Sequence, residues 1–256
     1  MPELPEVEVV RRGIDKWVTG RTIETTKVLH SRAVRNHIAG SKDFIKRLNG
    51  RTVTSVNRRG KFMWLSLDDD HALVTHLGMS GQLLVQDESA TQHAHLRAKF
   101  GLSGSKKSNK IEIRFIDQRT FGWLSVEEVV NGTPESVKNI ASDPFESEFN
   151  LKLVTSNIKR RKSAIKPAIL NQNIMSGVGN IYADEALWRS KIHPETRTEN
   201  MKALRIKELI ENATLVMSEA LAVGGTSFDY LYINVNGESG YFERSLAVYG
   251  QEGEGC

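Results

Sequence analysis

The chain opens Met1-Pro2-Glu3-Leu4-Pro5-Glu6, so loss of Met1 would leave a proline nitrogen as the amino terminus. An α-amino group titrates near ~8 against ~10.4 for a lysine side chain, and at neutral pH roughly a tenth of it is an uncharged nucleophile. A secondary amine condenses with an aldehyde-equivalent carbon to a cationic iminium, an electron sink of the Schiff-base kind. Glu3 follows in the first turn of a helical pattern, where a carboxyl group could shuttle a proton beside that nitrogen. Pro and Glu are equally ordinary helix-start signals, and these two residues alone leave both readings open.

A second stretch, Asn173-Ile174-Met175-Ser176-Gly177-Val178-Gly179-Asn180-Ile181-Tyr182, combines two glycines with the start of a helix. Such a turn is expected to aim free N–H groups outward, ready for a phosphate. Basic residues precede it at Lys159, Arg160, Arg161, Lys162 and Lys166. They read either as a solvated helix face or as a phosphate-neutralising patch.

The elements that would position these groups follow from periodicity. Val7, Val10, Ile14 and Trp17 recur at helical spacing before Gly20, which predicts an amphipathic helix that anchors the amino terminus. Residues 21 to about 130 read as eight short strands: 22–29, 52–57, 61–67, 72–77, 82–85, 95–102, 111–116 and 123–126. Turns punctuate them, including the basic tip at 104–108, and a helix capped by Ser41 interrupts them over 41–48. A two-sheet sandwich or barrel is the natural architecture. From about residue 134 the pattern turns helical, with helices expected over 134–140, 147–157, 163–170, 181–190 and a long 201–223. The last is capped by Asn200 and stopped by Gly224-Gly225. The fold class is therefore α+β. The division expected is an N-terminal β-sandwich domain over 1–132, a helical domain over 133–225 and a terminal segment over 226–256, with 131–133 as the linker.

Composition sets the outer bounds. At 256 residues the chain can bury two cores. No apolar run is long enough to cross a membrane, and no secretory leader is visible. One cysteine, Cys256, excludes an internal disulfide framework and fits a reducing cytoplasm. Thirty-five Lys plus Arg against 31 Asp plus Glu give +4, compatible with a polyanionic partner if the charge clusters on one face.

The amino-terminal hexapeptide and the Gly177–Tyr182 turn resemble the bacterial formamidopyrimidine-DNA glycosylases, also called 8-oxoguanine DNA glycosylases. Further landmarks of that family stand in order along the whole chain: Arg58-Arg59-Gly60-Lys61-Phe62, His76-Leu77-Gly78-Met79-Ser80-Gly81, Asp117-Gln118-Arg119-Thr120-Phe121-Gly122, Ala164-Ile165-Lys166-Pro167 and Gly224-Gly225-Thr226-Ser227. The resemblance implies a β-sandwich joined to a helix-two-turns-helix domain, with damaged duplex DNA between them and a monomeric enzyme. It implies removal of an oxidised purine followed by strand cleavage. By similarity Pro2 attacks C1′, Glu3 donates and accepts the proton, and Lys61 assists β-elimination. Met79, Arg119 and Phe121 would fill the gap left by the flipped nucleotide. His93, Arg119, Arg161, Lys166, Asn180 and Tyr182 would contact DNA. The loop from Thr226 and Ser227 to Tyr241 would close over the extruded base.

A His93-Ala94-His95 pair with no third ligand nearby makes a poor metal site. Cys256 matches the first of four zinc ligands in the family's C-terminal finger, and a lone thiolate cannot hold a structural zinc. No cofactor is expected for the chemistry, and weaker DNA binding with incomplete δ-elimination is expected without the finger. Two rivals remain. One is an endonuclease-VIII-like glycosylase for oxidised pyrimidines, against which Leu4, Met79, Arg119 and Phe121 stand. The other is a protein that binds damage without cutting, against which Pro2, Glu3 and Lys61 stand.

Overall fold

A computed structural model describes residues 2–104, 110–225 and 245–253. The expected basic tip at 105–108, Thr226, Ser227, Tyr241 and Cys256 lie outside the described residues.

The first helix, α1, runs Leu4–Val18. Val7, Val10 and Ile14 are buried as the pattern predicts, and the stripe continues to Val18. Trp17 instead stands 41% exposed, because position 18, four residues beyond Ile14, lies on the buried face. The strands are β1 (Ile23–Val28), β2 (Val53–Arg59), β3 (Phe62–Leu67), β4 (His71–His76), β5 (Gly81–Asp87), β6 (Leu96–Leu102), β7 (Ile111–Asp117), β8 (Trp123–Val130) and the two-residue β9 (Thr133–Pro134). They form two antiparallel sheets, in the orders β1-β6-β7-β5 and β2-β3-β4-β8-β9. Between β1 and β2, α2 (Gly40–Leu48) buries Phe44 and Leu48; its cap is Ala39 rather than Ser41.

The expected linker at 131–133 is a tight hairpin turn. Asn131 and Gly132 both take positive φ, and Val130 pairs with Thr133 across them, the geometry an Asn-Gly pair favours. The helix expected over 134–140 reduces to β9 and a 3₁₀ turn, Glu135–Val137. Val137 is buried against Trp64, Ala72 and Val74, so the packing of the sandwich extends past residue 132.

The helical part comprises α3 (Leu151–Lys159), α4 (Ile165–Ile169), α5 (Asn180–Arg189) and α6 (Ala203–Ala222). The cap of α6 is Lys202, and Asn200 lies in a separate 3₁₀ turn. Its stop matches expectation: Gly224 and Gly225 have positive φ, and the Gly225 N–H donates to Ala220 O at 2.8 Å. The buried Glu185 of α5 accepts N–H bonds from Ala247, Val248 and Tyr249 at 2.9–3.1 Å, which fastens the last described segment to this core.

Helix α1 joins the two cores. Val7, Val10, Ile14 and Val18 belong to the sandwich core, whereas Leu4 packs among Ile165, Met175, Val178 and Tyr182 of the helical one. The residues just before Leu4 therefore sit at the junction of the two parts.

Candidate active site

Pro2 and Glu3 are both buried where α1 meets the turn before α5. The Leu4 N–H donates to Gly177 O at 3.1 Å, docking the start of α1 on that turn. Gly179 N–H donates to Glu3 Oε2 at 2.6 Å and Ile181 N–H to Oε1 at 3.0 Å, so the Glu3 carboxyl lies in the positive end of α5. The sequence reading leaves these donors waiting for a phosphate; in the fold they are occupied by Glu3. Both glycines are needed for the approach. A Cβ at Gly177 would meet Leu4 Cδ1 at 2.4 Å, and one at Gly179 would meet the Glu3 carboxyl at 2.3 Å.

Behind Glu3, Glu6 Oε2 accepts the Glu3 N–H at 2.9 Å, and Tyr182 Oη donates to Glu6 Oε1 at 2.7 Å. Tyr182 is 0% exposed. The family resemblance puts it against DNA, but its ring fills the helical core and its hydroxyl serves Glu6. The packing of α1 on α5, remote in sequence, is what buries it.

Lys61 sits in the hairpin turn between β2 and β3, rather than in the strand itself, and is 8% exposed. Gly60 beside it takes φ +55°, and a Cβ there would strike Ser176 at 2.7 Å. The turn is clamped by the fully buried Asp143, which accepts Gly60 N–H at 2.8 Å and Arg58 Nη1 at 2.7 Å. Arg58 in turn reaches Glu8 at 3.0 Å. Nothing local in the sequence marks Asp143 as a partner of Arg58, since 85 residues separate them.

Electrostatics follow from this burial. Loss of solvent pushes the Glu3 carboxyl up to about 7, opposed by the positive charge of Lys61 and by the Ile181 and Gly179 N–H donors. Burial likewise lowers the Lys61 ammonium, opposed by Glu3 and Glu6. A carboxyl poised near neutrality can both give and take a proton, the requirement for a general acid and base at working pH. His76, read in the sequence only as a landmark, is also drawn in. It stacks on Trp123 with ring centroids 6.1 Å apart and 13° between planes. Burial, with Lys61 and Arg35 nearby, drops its imidazole to about 4, and the ring accepts the Gly78 N–H at 3.1 Å.

A model of the formamidopyrimidine-DNA glycosylase N-terminal domain matches residues 1–124, and one of that enzyme's H2TH domain matches residues 140–231. A formamidopyrimidine-DNA glycosylase of Nocardioides sp. is 51% identical over 256 residues, covering 100% of this chain and 86% of its own. That of Streptomyces avermitilis is also 51% identical, with 89% of its own length covered. The chain belongs to the formamidopyrimidine-DNA glycosylase family. A Lactococcus lactis member, crystallised as a mutant with DNA containing Fapy-dG, superposes with a TM-score of 0.85 at 30% identity, over 100% of this chain and 90% of its own. Another structure of that member, with DNA containing an abasic site, gives 0.84 at 30% identity over 99% of this chain and 90% of its own. Membership makes this chain an enzyme of the DNA glycosylase class in DNA repair, with DNA as its partner.

The family's other landmarks fall into two groups. Met79 and Phe121 are 39% and 47% exposed, and the Arg119 guanidinium approaches Met79 Sδ at 4.0 Å, so the three residues meet on one surface. His93, Arg161 and Asn180 are exposed. Lys166 is half-buried and pairs with Asp184 at 2.7 Å; its charge is held by that carboxylate. No cluster of three or more His, Cys, Asp or Glu able to hold a metal occurs among the described residues. No helix among them is long and apolar enough to cross a membrane.

Proposed function

We propose that this glycosylase removes oxidised purines, 8-oxoguanine and formamidopyrimidines, from duplex DNA through a covalent intermediate on Pro2, and then cuts the strand. The observation that carries the reading is the buried Glu3 carboxyl, held by two N–H donors with a pKa of about 7, beside Lys61 and one residue from Pro2.

Once Met1 is removed, the Pro2 nitrogen attacks C1′ while the bond from C1′ to the base breaks and its electron pair leaves with the base. Glu3 protonates the departing base and is recharged by the proton that the amine sheds; it then gives that proton to the ring oxygen O4′ as the C1′–O4′ bond breaks, the electron pair leaving on oxygen while the nitrogen lone pair forms the C1′=N iminium. The iminium then acidifies the C2′ proton. Its removal, assisted by Lys61, expels the 3′ phosphate by β-elimination, and water releases Pro2. Lys61 suits that step because burial lowers its affinity for a proton. Organic cations carry the charge throughout. No step of this scheme is routed through a metal.

The target base must first leave the stack, at about a few kcal/mol. Met79 and Phe121, exposed and apolar, are the wedge that fills the gap, and Arg119 hydrogen-bonds the orphaned base. His93, Arg161 and Asn180 supply contacts to the phosphate backbone. The enzyme acts as a monomer.

Borohydride trapping tests the reading. The chain and its Pro2→Gly variant are incubated with a duplex carrying 8-oxoguanine opposite cytosine, and the adduct is located by mass spectrometry. An adduct at Pro2, absent from the variant, is expected. Lesion-specific binding without an adduct refutes it in favour of a recognition protein, and trapping only on an oxidised-pyrimidine duplex favours the endonuclease-VIII-like rival.

A further inference from the structure

The geometry points to Arg35 as a positioning residue: its guanidinium holds the turn that carries Arg119 and Phe121, so that this turn and the Met79 turn enter the duplex as one preformed wedge. The inference deepens the insertion reading above and rests on it.

Two separate turns make up the exposed surface, at 77–81 and 117–122. They are stitched together from within by buried polar groups. Ser80 Oγ donates to Asp117 Oδ1 at 2.5 Å and accepts the Arg119 N–H at 3.0 Å, while Asp117 Oδ2 accepts the Gly122 N–H at 2.7 Å. Gly78, at φ +62°, passes so close that a Cβ would stand 2.5 Å from Gly122 N. The turns therefore move together or not at all.

The outer side of the second turn is strained. Thr120 has φ +54°, a left-handed conformation that a β-branched residue adopts only when its surroundings impose it. Arg35, which follows the 3₁₀ turn Ser31–Val34, supplies that imposition. Its Nη1 donates to Gly122 O at 2.7 Å and Thr120 O at 3.3 Å, and its Nη2 donates to Phe121 O at 2.8 Å. Arg32 Nε adds a donor to Thr120 O at 3.3 Å. One planar fork thus takes three consecutive carbonyls, a pattern that a lysine cannot reproduce. Among the described residues Arg35 forms no ion pair; besides these three carbonyls its Nη1 also donates to Arg32 O at 3.0 Å, which ties the fork back to its own 3₁₀ turn. The three carbonyls lie near the surface, where water can replace the guanidinium. Loss of Arg35 should therefore loosen the wedge without unfolding the domain.

The test follows insertion directly. A duplex with a non-cleavable tetrahydrofuran abasic site carries 2-aminopurine beside the orphaned base, and stopped-flow fluorescence reports its unstacking. Arg35→Gln should slow that step by about tenfold, the loss expected for one charge-assisted hydrogen bond. Duplex affinity should stay within about threefold, with the slope of affinity against salt unchanged. Arg35→Lys, able to satisfy part of the carbonyl set, should fall between the two. Parent-like insertion in Arg35→Gln overturns the proposal. So does a uniform affinity loss with a salt slope reduced by about one, the signature of a phosphate contact. Phe121→Ala is the control: if it inserts like the parent, the insertion reading itself has failed and this proposal falls with it.

Discussion

Replacing Gly179 with alanine asks whether the cradle around Glu3 carries the chemistry. The backbone there has φ −125°, open to any residue, so the perturbation is purely steric. The new Cβ would lie 2.3 Å from both Glu3 Cδ and Oε1, whereas ordinary contact begins at 3.4 Å. The carboxyl must retreat by about 1 Å, which pulls it from the Gly179 and Ile181 N–H groups. Each such bond to a charged acceptor contributes about 1.5–3 kcal/mol. A proton donor misplaced by about 1 Å costs on the order of a hundredfold in rate. Single-turnover release of 8-oxoguanine should therefore fall by about that factor. Borohydride trapping on DNA with a preformed abasic site should fall less, because no base has to depart. Base release within about threefold of the parent, in a variant that melts like the parent, would show that the cradle is dispensable and refute the role given to Glu3.

Two further outcomes follow from buried charge. The folded-state pKa of Glu3 is raised from 4.5 to about 7, so the folded chain holds this proton more tightly than the unfolded one. The associated stability is complete below pH ~4.5 and lost as pH rises through ~7, on the order of 3 kcal/mol in all. Urea unfolding from pH ~4.5 to ~8 should show the parent losing roughly that much more than Glu3→Gln, and base release should decline above pH ~7 as the acid form empties; parallel unfolding curves would contradict the assignment. Arg58→Ala leaves the fully buried Asp143 without its guanidinium, and should cost about 3–5 kcal/mol in thermal or urea unfolding. A loss below about 1 kcal/mol would mean that Asp143 recruits another partner or a proton.

Much of this protein is written locally. Alternation and turn residues mark the eight principal strands, and period-3.6 stripes mark the helices, because both signals depend on neighbours within a few positions. The proposal for Pro2 starts from the sequence as well, since a proline following Met1 is visible there without any fold. Family motifs single out Glu3 and Lys61. Where the sequence reading erred, the deciding neighbour was remote or the local signal ambiguous. Asn131-Gly132 reads as a linker until β9 pairs with β8, and Trp17 reads as core until Val18 fills that place.

Tertiary structure alone decided what the site residues can do. The Gly177-Val178-Gly179 turn offers N–H donors that could serve any anion. Packing α1 against α5 gives them to Glu3, 176 residues away. The same contact strips water from Glu3 and lifts its pKa toward neutrality, and it buries Tyr182 as the support of Glu6. Arg35 has no motif of its own; three carbonyls presented 85–87 residues later give it a task. The order of residues decides which groups are available. Desolvation and hydrogen-bond direction depend on what the rest of the chain places around them, and those set their chemistry.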